Sequence, residues 1–381
     1  MNASIAILLA GIVGNATIAL MPLLVSGMAQ YLGFDDAMLG DLVTASSAGA
    51  SLTTIAAFFF LDRTGWPLRR TAFVSMACFG IANFITPMLF EHDLLLILVF
   101  FIAGCASGLI WASCATAITA IGNTPRLVSL FYGSPYLTGM VIQPLMPGLY
   151  ASFGVARVFE LIGISCFLSF LIMSWFPDRS RGASPAGNKD SLNNGQWGIF
   201  WLLMLPIVAS LLLQYTANSG LWVFFDRIGL NSGHSPQLSA NIVSLGVGMA
   251  LVGTALAVVL TPHLPPLQSI VVINIVAAIA TLGLLGSENY LVFALSIFVF
   301  NASITLITPF YFLVLGRLSI SAGKAVLLFN IVMMAGYTLG PLVMGRLASH
   351  GDFTLPVYVT SAMFVTSAIF ILIKFKKREN P

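Results

Sequence analysis

Charged side chains are scarce in this chain. Only 8% of the 381 residues are Asp, Glu, Lys or Arg, and 58% are hydrophobic, whereas about 25% of the residues in soluble domains are charged. So few charges cannot cover a surface that faces water, so the composition predicts an integral membrane protein. The net charge is only +3, and the basic residues lie at the ends of apolar segments, which argues against a nucleic-acid partner.

The chain also lacks the motifs of several chemistries. Its four cysteines lie scattered in apolar runs without the spacing of metal ligands, so neither disulfides nor a metal site are expected. Gly-x-Ser-x-Gly, His-Glu-x-x-His and P-loop sequences are absent. Their absence argues against a membrane-embedded enzyme and against an ATP-driven pump. No cofactor is expected. No rings of charge or carbonyl filter indicate an ion channel.

Long apolar segments fill the chain instead. Twelve stretches are about 20 residues or longer, enough to cross a bilayer as a helix. They lie at about 4–31, 37–61, 71–90, 94–121, 127–150, 157–176, 197–225, 238–261, 267–286, 290–315, 323–347 and 356–374. The first has no basic stretch before it and no clear cleavage site after it, so we interpret it as a retained span.

The basic residues predict the orientation. With a cytoplasmic N-terminus, thirteen of the sixteen Lys and Arg residues fall on the cytoplasmic side, and only Arg157, Arg227 and Arg346 fall outside. Cytoplasmic loops are enriched in Lys and Arg. Both termini are therefore predicted to be cytoplasmic, and the short loops suggest a bacterial inner membrane.

One segment occurs twice. Residues 139–154 and 336–351 are 197 positions apart and share seven of sixteen residues, including Gly139/Gly336 and Pro144/Pro341. Average residue usage would give about one match by chance. The repeat predicts a duplicated unit, although two Gly-rich apolar helices can also coincide by composition. We therefore predict a bundle at 1–176, a polar cytoplasmic linker at 177–196 and a second bundle at 197–381.

The loop after the second apolar segment carries a known pattern. Its sequence is Asp-Arg-Thr-Gly-Trp-Pro-Leu-Arg-Arg. With the two six-span halves, it resembles the major facilitator superfamily of secondary transporters, whose signature in that loop is Gly-x-Leu-Ala-Asp-Arg-x-Gly-Arg-Arg. The leading Gly is replaced here by Phe58. The resemblance implies a conformational latch formed by Asp62, Arg63, Gly65, Arg69 and Arg70; the simpler alternative is a positive-inside anchor.

The resemblance implies an all-α membrane fold of twelve transmembrane helices in two pseudo-symmetric six-helix bundles. The duplicated segment is similar to the fifth-helix motif Gly-x-x-x-Gly-Pro-x-x-Gly-Gly of exporters in this superfamily, but Gln143 and Pro147 replace two glycines. Small residues and Pro suit a bendable contact, so a hinge is predicted, with ordinary helix packing as the alternative. The hinge residues are Gly139, Pro144, Gly148, Gly336, Gly340, Pro341 and Gly345.

The fourth span carries Gly104 and Gly108 but lacks the arginine that often precedes them in proton-coupled drug exporters of the superfamily. This departure argues against a drug/proton antiporter.

The resemblance also implies a solute site lined by spans one, four, seven and ten. Span seven has the most polar residues, and Gln214 and Asn218 lie four residues apart on one helical face. Amides beside an aromatic ring suit a neutral or weakly polar organic molecule. A lone Asn or Ser in a membrane helix more often bonds a neighbouring helix. The candidates are Asn15, Trp111, Ser113, Gln214, Tyr215, Asn218, Trp222, Asn301 and Tyr311.

Charges inside membrane spans are candidates for coupling or gating. Asp41 begins span two, and Asp226 and Arg227 end span seven. Each also has a structural explanation, because Asp41 can be a solvated residue near a helix N-terminus. None lies clearly at the centre of a span, which argues against a highly charged solute.

The sequence thus predicts a secondary transporter that moves a small organic solute by alternating access, and the fifth-helix resemblance favours export. Proton-coupled uptake or uniport of a small metabolite is the alternative, with protons as the candidate coupling ion. A membrane-embedded enzyme or a lipid scramblase is the alternative from another class. A monomer suffices, because two fused halves complete one transporter.

Overall fold

The computed structural model describes residues 2–60, 67–121, 125–178, 194–318, 322–348 and 351–376. Every regular element in these ranges is a helix. Contacts divide the chain into two compact units, Met1–Ala186 (unit 1) and Gly187–Pro381 (unit 2). The division falls within the interval predicted as a linker, most of which lies outside the described residues.

The described part of unit 1 holds seven helices, and short 3-10 turns follow α4 at Thr86–Leu89 and α6 at Gln143–Leu145. The helices are α1 (Asn2–Gly14), α2 (Ala16–Leu32), α3 (Asp36–Phe60), α4 (Leu68–Ile85), α5 (Asp93–Ala120), α6 (Pro125–Ile142) and α7 (Met146–Met173).

The described part of unit 2 also holds seven helices, with one 3-10 turn after α11 at Leu284–Gly286. The helices are α8 (Asn194–Trp222), α9 (Phe225–Asn231), α10 (Pro236–Leu260), α11 (Pro266–Gly283), α12 (Tyr290–Leu318), α13 (Ala322–Leu347) and α14 (Thr354–Lys376).

Most of these helices can cross a membrane. Within the described residues nine helical stretches are long and apolar enough, and the bent pair of α8 and α9 raises the number to ten. One stretch of 48 residues, Arg126–Met173, covers the predicted fifth and sixth spans. Helix α3 is not among the nine, since Ser and Thr occupy much of its middle. The count of twelve spans stays a prediction.

Two breaks interrupt predicted spans. Asn15 separates α1 from α2 with φ −113° and ψ 11°. Helices α8 and α9 meet at an angle of 46°. Neither break was predicted from the sequence: the first lies in the middle of the predicted span 4–31, and the second lies at the end of the predicted span 197–225.

The two units repeat the same arrangement of helices. Helix α5 begins at Asp93 and α12 at Tyr290, 197 residues later. In unit 1, α3 packs on α5, α4 on α5 and α7, and the first span on α6; in unit 2, α10 packs on α12, α11 on α12 and α14, and α8 on α13. The duplication seen in the sequence is therefore also a duplication of packing.

The end of the repeated segment has the same backbone in both copies. Gly154 and Gly351 have φ of 75° and 88°, a region that a Cβ atom disfavours. In α7 the non-helical Gly154, with ψ of 168°, separates the predicted fifth span from the sixth. A residue with a side chain would therefore be strained at either position.

Candidate solute-binding site

The first span of unit 1 is interrupted at Asn15, near the middle of the 2–32 run. Asn15 is 6% exposed, and its Nδ2 donates to the Gly11 carbonyl at 3.0 Å. Non-helical backbone at membrane depth is tolerated only where protein buries it or where it lines a cavity. The break therefore places a polar side chain and loosened backbone at mid-span depth.

Aromatic side chains surround the break. A Cβ atom on Gly11 would lie 2.7 Å from the Phe131 ring, so α1 rests directly on α6. The Phe131 ring stacks on Trp111, with ring centroids 4.2 Å apart. The structure thus brings Asn15 and Trp111, two predicted site residues, into one neighbourhood of unit 1.

Ser113 lies close to the same contact. A Cβ atom on Gly14 would lie 2.6 Å from Ile110, and Ser113 is three residues after Ile110, on the same face of α5. Ser113 is fully buried, and its Oγ has no hydrogen-bond partner among the described residues. An unpaired buried hydroxyl costs about 1–3 kcal/mol, so Ser113 retains a hydrogen bond to offer.

In unit 2 the predicted face of span seven lies on one helix. Helix α8 continues through Trp222, so Gln214 and Asn218 lie one turn apart. Both are buried, at 1% and 6% exposure, and the buried Gln214 Oε1 has no partner among the described residues. Trp222, the last residue of α8, is half-buried. This face can accept a hydrogen bond from a solute.

Tyr215 lies where three helices of unit 2 meet. Its hydroxyl lies 3.0 Å from Thr308 Oγ1 of α12. Its ring centroid is 5.4 Å from that of Tyr337 and 5.9 Å from that of Phe329, both on α13. The side chain therefore joins α8, α12 and α13.

Tyr311 and Asn301 make helix-packing contacts. The Tyr311 hydroxyl is fully buried, 2.8 Å from Ser210 Oγ and 3.3 Å from Ser367 Oγ. These three hydroxyls join α8, α12 and α14, one turn before Gln214 on α8. Asn301 is buried and donates to the carbonyl of Ile297 in its own helix at 2.9 Å.

The candidate charged groups lie near helix ends. Asp226, in the first turn of α9, is 3% exposed and accepts a hydrogen bond from Ser239 Oγ at 2.5 Å. Arg227 follows it and is half-buried. Asp41 lies in the second turn of α3 and is also half-buried. All three interact with other groups.

The predicted latch is partly described. Asp62, Arg63 and Gly65 lie outside the described residues. Arg69 Nε donates to the Phe176 carbonyl at 2.8 Å, while Arg70 is exposed. The Arg69 contact ties the start of α4 to the chain that follows α7, within unit 1.

The predicted hinge differs between the two copies. In unit 2, a Cβ atom on Gly336 would lie 2.7 Å from Tyr215 Cβ, and one on Gly340 would lie 2.5 Å from the Gly220 nitrogen. In unit 1, a Cβ atom on Gly148 would meet nothing within 4 Å. Of the other hinge residues, Pro144 lies in a 3-10 turn and Pro341 lies inside α13. Gly139, Pro341 and Gly345 are buried.

Sequence reasoning missed two polar side chains in unit 1. Gln143 Nε2 donates to the Ala19 carbonyl at 2.8 Å, and the Tyr150 hydroxyl donates to the Leu23 carbonyl at 3.0 Å. The sequence did contain a signal for Gln143, because an amide side chain stands there where the exporter motif and the second copy have glycine.

Comparison with known proteins identifies the family. The family model described as Major Facilitator Superfamily matches residues 4–323. The chain belongs to the major facilitator superfamily. Comparison with curated protein sequences gives no match.

Solved structures of the superfamily share this fold. A nucleoside transporter, NupG, aligns with TM-score 0.78 and 13% identity, covering 99% of this chain and 100% of its own. The inward-open xylose transporter XylE from E. coli aligns with TM-score 0.74 and 14% identity, covering 97% and 94%. A peptide transporter, POT, aligns with TM-score 0.74 and 13% identity, covering 98% and 94%. At this identity the likeness shows the fold alone.

Membership of the superfamily confirms the predicted all-α membrane fold and makes the chain a multi-pass membrane transporter. It also confirms that the chain is not an enzyme.

Proposed function

We propose that this superfamily member is a secondary transporter that moves a small, neutral organic solute by alternating access. The observation that supports this best is the chemistry of the described spans. Amides and hydroxyls occupy mid-span positions such as Asn15, Ser113 and Gln214, whereas the described charged residues lie within two turns of a helix end or of a break. Because an uncompensated ion in a membrane span is costly, a charged solute would need a central partner of opposite charge.

The solute contacts that we propose lie in both units. Orphan buried acceptors, Ser113 Oγ in unit 1 and Gln214 Oε1 in unit 2, favour a solute that donates hydrogen bonds. Trp111 and Trp222 add flat apolar rings on the same two helices. The full set is Asn15, Trp111, Ser113, Gln214, Tyr215, Asn218, Trp222, Asn301 and Tyr311. Tyr311 uses its hydroxyl in packing, so its contact would be through the ring.

Export is the direction we propose, on the fifth-helix resemblance. Proton-coupled uptake or uniport is the alternative, and two of the fold neighbours are named as a nucleoside transporter and a D-xylose-proton symporter. For coupling or gating we propose Asp41, Asp226 and Arg227. Collapsing the proton gradient across cells or vesicles tests this: a changed accumulation supports coupling, and an unchanged one supports uniport.

The remaining proposals concern architecture. We propose twelve spans, both termini in the cytoplasm, a bacterial inner membrane and a monomer. The latch is assigned to Asp62, Arg63, Gly65, Arg69 and Arg70, and the hinge to the Gly and Pro residues of the two repeated segments. Labelling of cysteines introduced at each terminus in intact cells tests the orientation.

Thermal stabilisation by a panel of nucleosides, pentoses, hexoses and dipeptides tests the solute site. A ligand that binds the folded state at 100 times its Kd stabilises it by about 2.7 kcal/mol. Gln214→Ala and Asn218→Ala should each abolish the shift. Gln30→Ala, an exposed glutamine at the end of α2, is the matched control and should keep it.

A compound that stabilises all three variants equally would move the site away from α8. It would leave the transporter assignment intact. A panel with no stabilising member would contradict the proposed solute classes.

A further inference from the structure

Gln143 is fully buried in the 3-10 turn between α6 and α7. Its Nε2 donates to the Ala19 carbonyl on α2 at 2.8 Å, while its Oε1 is buried without a partner among the described residues. Desolvating an unpaired amide oxygen is unfavourable. Gln143 therefore makes one hydrogen bond to α2 and leaves one buried acceptor unpaired.

The carbonyl that Gln143 contacts lies beside a weak point of the first span. Pro22 lies inside α2 and, having no N–H, cannot bond the carbonyl four residues before it. One turn beyond Ala19, the Tyr150 hydroxyl donates to the Leu23 carbonyl at 3.0 Å. Two side chains of the fifth span therefore hold α2 on both sides of its proline.

The second copy makes the same contact without a side chain. The 197-residue shift that pairs the repeated segments pairs Gln143 with Gly340 and Ala19 with Thr216. A Cβ atom on Gly340 would lie 2.5 Å from the Thr216 carbonyl oxygen. The same pair of positions thus meets in both units, through a long amide in unit 1 and through backbone contact in unit 2.

We propose that Gln143 is a positioning residue for transport, which holds the Pro22 turn of the first span on the fifth span in a contact that can be released. A hydrogen bond donated by the amide of a flexible side chain is broken when that side chain changes rotamer. The backbone contact at Gly340 has no side chain that could change rotamer, so it cannot be released in this way. Spans seven and eleven therefore move together, whereas spans one and five can separate.

Hydrogen exchange of the full-length protein in lipid nanodiscs tests this with Gln143→Met, which keeps the length of the side chain and removes the amide. The amides of α2 should exchange about five- to tenfold faster, as the loss of one hydrogen bond predicts. Those of α8 should not change. The apparent melting temperature should stay constant or rise, because the unpaired Oε1 is removed as well.

A purely structural role for Gln143 predicts a different pattern. The melting temperature would fall, and exchange would increase throughout unit 1. That result, or unchanged exchange in α2, would overturn the proposal. The control is Gln30→Met, the same change at an exposed position of α2, which should leave exchange unaltered.

A second variant keeps the test decisive if Gln143→Met does not fold. Tyr150→Phe keeps the ring that packs on Gly27 and removes the hydroxyl that bonds the Leu23 carbonyl. It should speed exchange in α2 by a smaller factor than Gln143→Met, again without an effect on α8. Unchanged α2 exchange in this variant would equally contradict the proposal.

Discussion

The contact between the first and fifth spans and the contact between the seventh and eleventh spans are built from one duplicated segment in two ways. In unit 2, Gly220, Gly336 and Gly340 let α8 and α13 approach backbone to backbone, and Ser219 Oγ donates to the Gly336 carbonyl at 3.1 Å. In unit 1 long side chains span the same gap. The two copies make the contact at the same position, but through side chains in unit 1 and through backbone in unit 2. The contact can therefore respond differently to helix movement in the two halves.

Alanine at two glycines of the repeated segment, the buried Gly340 of unit 2 and the exposed Gly148 of unit 1, should give the largest difference in stability, although the two positions are not equivalent. Gly340→Ala places a Cβ atom 2.5 Å from the Gly220 nitrogen and the Thr216 oxygen, and backbone atoms cannot move aside cheaply. We expect a loss of about 2–3 kcal/mol, typical of overpacking. Gly148→Ala meets no atom within 4 Å and should gain up to about 1 kcal/mol from helix propensity.

The melting temperatures of the two purified variants measure this difference, with hydrogen exchange in α8 as a local readout. A similar loss in both variants would show that the fifth span is packed as tightly at Gly148 as the eleventh span is at Gly340.

The three-hydroxyl contact of unit 2 provides the next test. Tyr311→Phe removes the hydroxyl that bonds Ser210 and Ser367, and keeps the ring in its fully buried place. Ser210 and Ser367 still bond each other at 2.8 Å, so the expected loss is about 1–2 kcal/mol. The 197-residue shift places Cys114 at this position of unit 1, also fully buried, so unit 1 has no tyrosine hydroxyl to lose.

Tyr290→Phe is the matched control for this change, because Tyr290 is on the same helix and is 53% exposed. It should leave the melting temperature unchanged. Equal effects of the two substitutions would mean that the buried hydroxyl contributes nothing to the packing of α8, α12 and α14.

The comparison also shows what the sequence could predict. Apolar length indicated membrane-spanning helices, because the bilayer constrains the length of a span directly. The orientation inferred from Lys and Arg stays a prediction. The turn at Gly154 was signalled by a repeated glycine. The break at Asn15 had no such signal, because the neighbouring α5 and α6 determine which turn of the first span opens.

Prediction of the site had a similar limit. A polar run in an apolar span predicted that Gln214 and Asn218 face away from lipid, and both are buried. Their part in binding stays a prediction. Gln143 was visible only as a departure from a glycine motif. Its acceptor, the Ala19 carbonyl, is 124 residues away, and only the packing of the fifth span on the first brings the two together.

The smallest effects are expected where the two units match. Thr53 Oγ1 of α3 donates to the Cys105 carbonyl of α5 at 2.9 Å, and Thr305 Oγ1 of α12 donates to the Ala250 carbonyl of α10 at 2.7 Å. Each hydroxyl lies against a glycine of the partner helix, Gly108 or Gly253, with 2.3–2.4 Å to an added Cβ atom. The Thr and the Gly exchange helices between the units, but the contact is the same.

Thr53→Val and Thr305→Val should therefore cost the same in both units, about 0.6 kcal/mol each, the average for hydrogen bonds between membrane helices. The double variant should lose the sum, since each hydrogen bond lies within its own unit. Melting temperatures of the three proteins measure this. Unequal losses would show that the halves differ even where their geometry agrees. The difference between Gln143 and Gly340 would then be one instance of a general asymmetry, and not a local replacement.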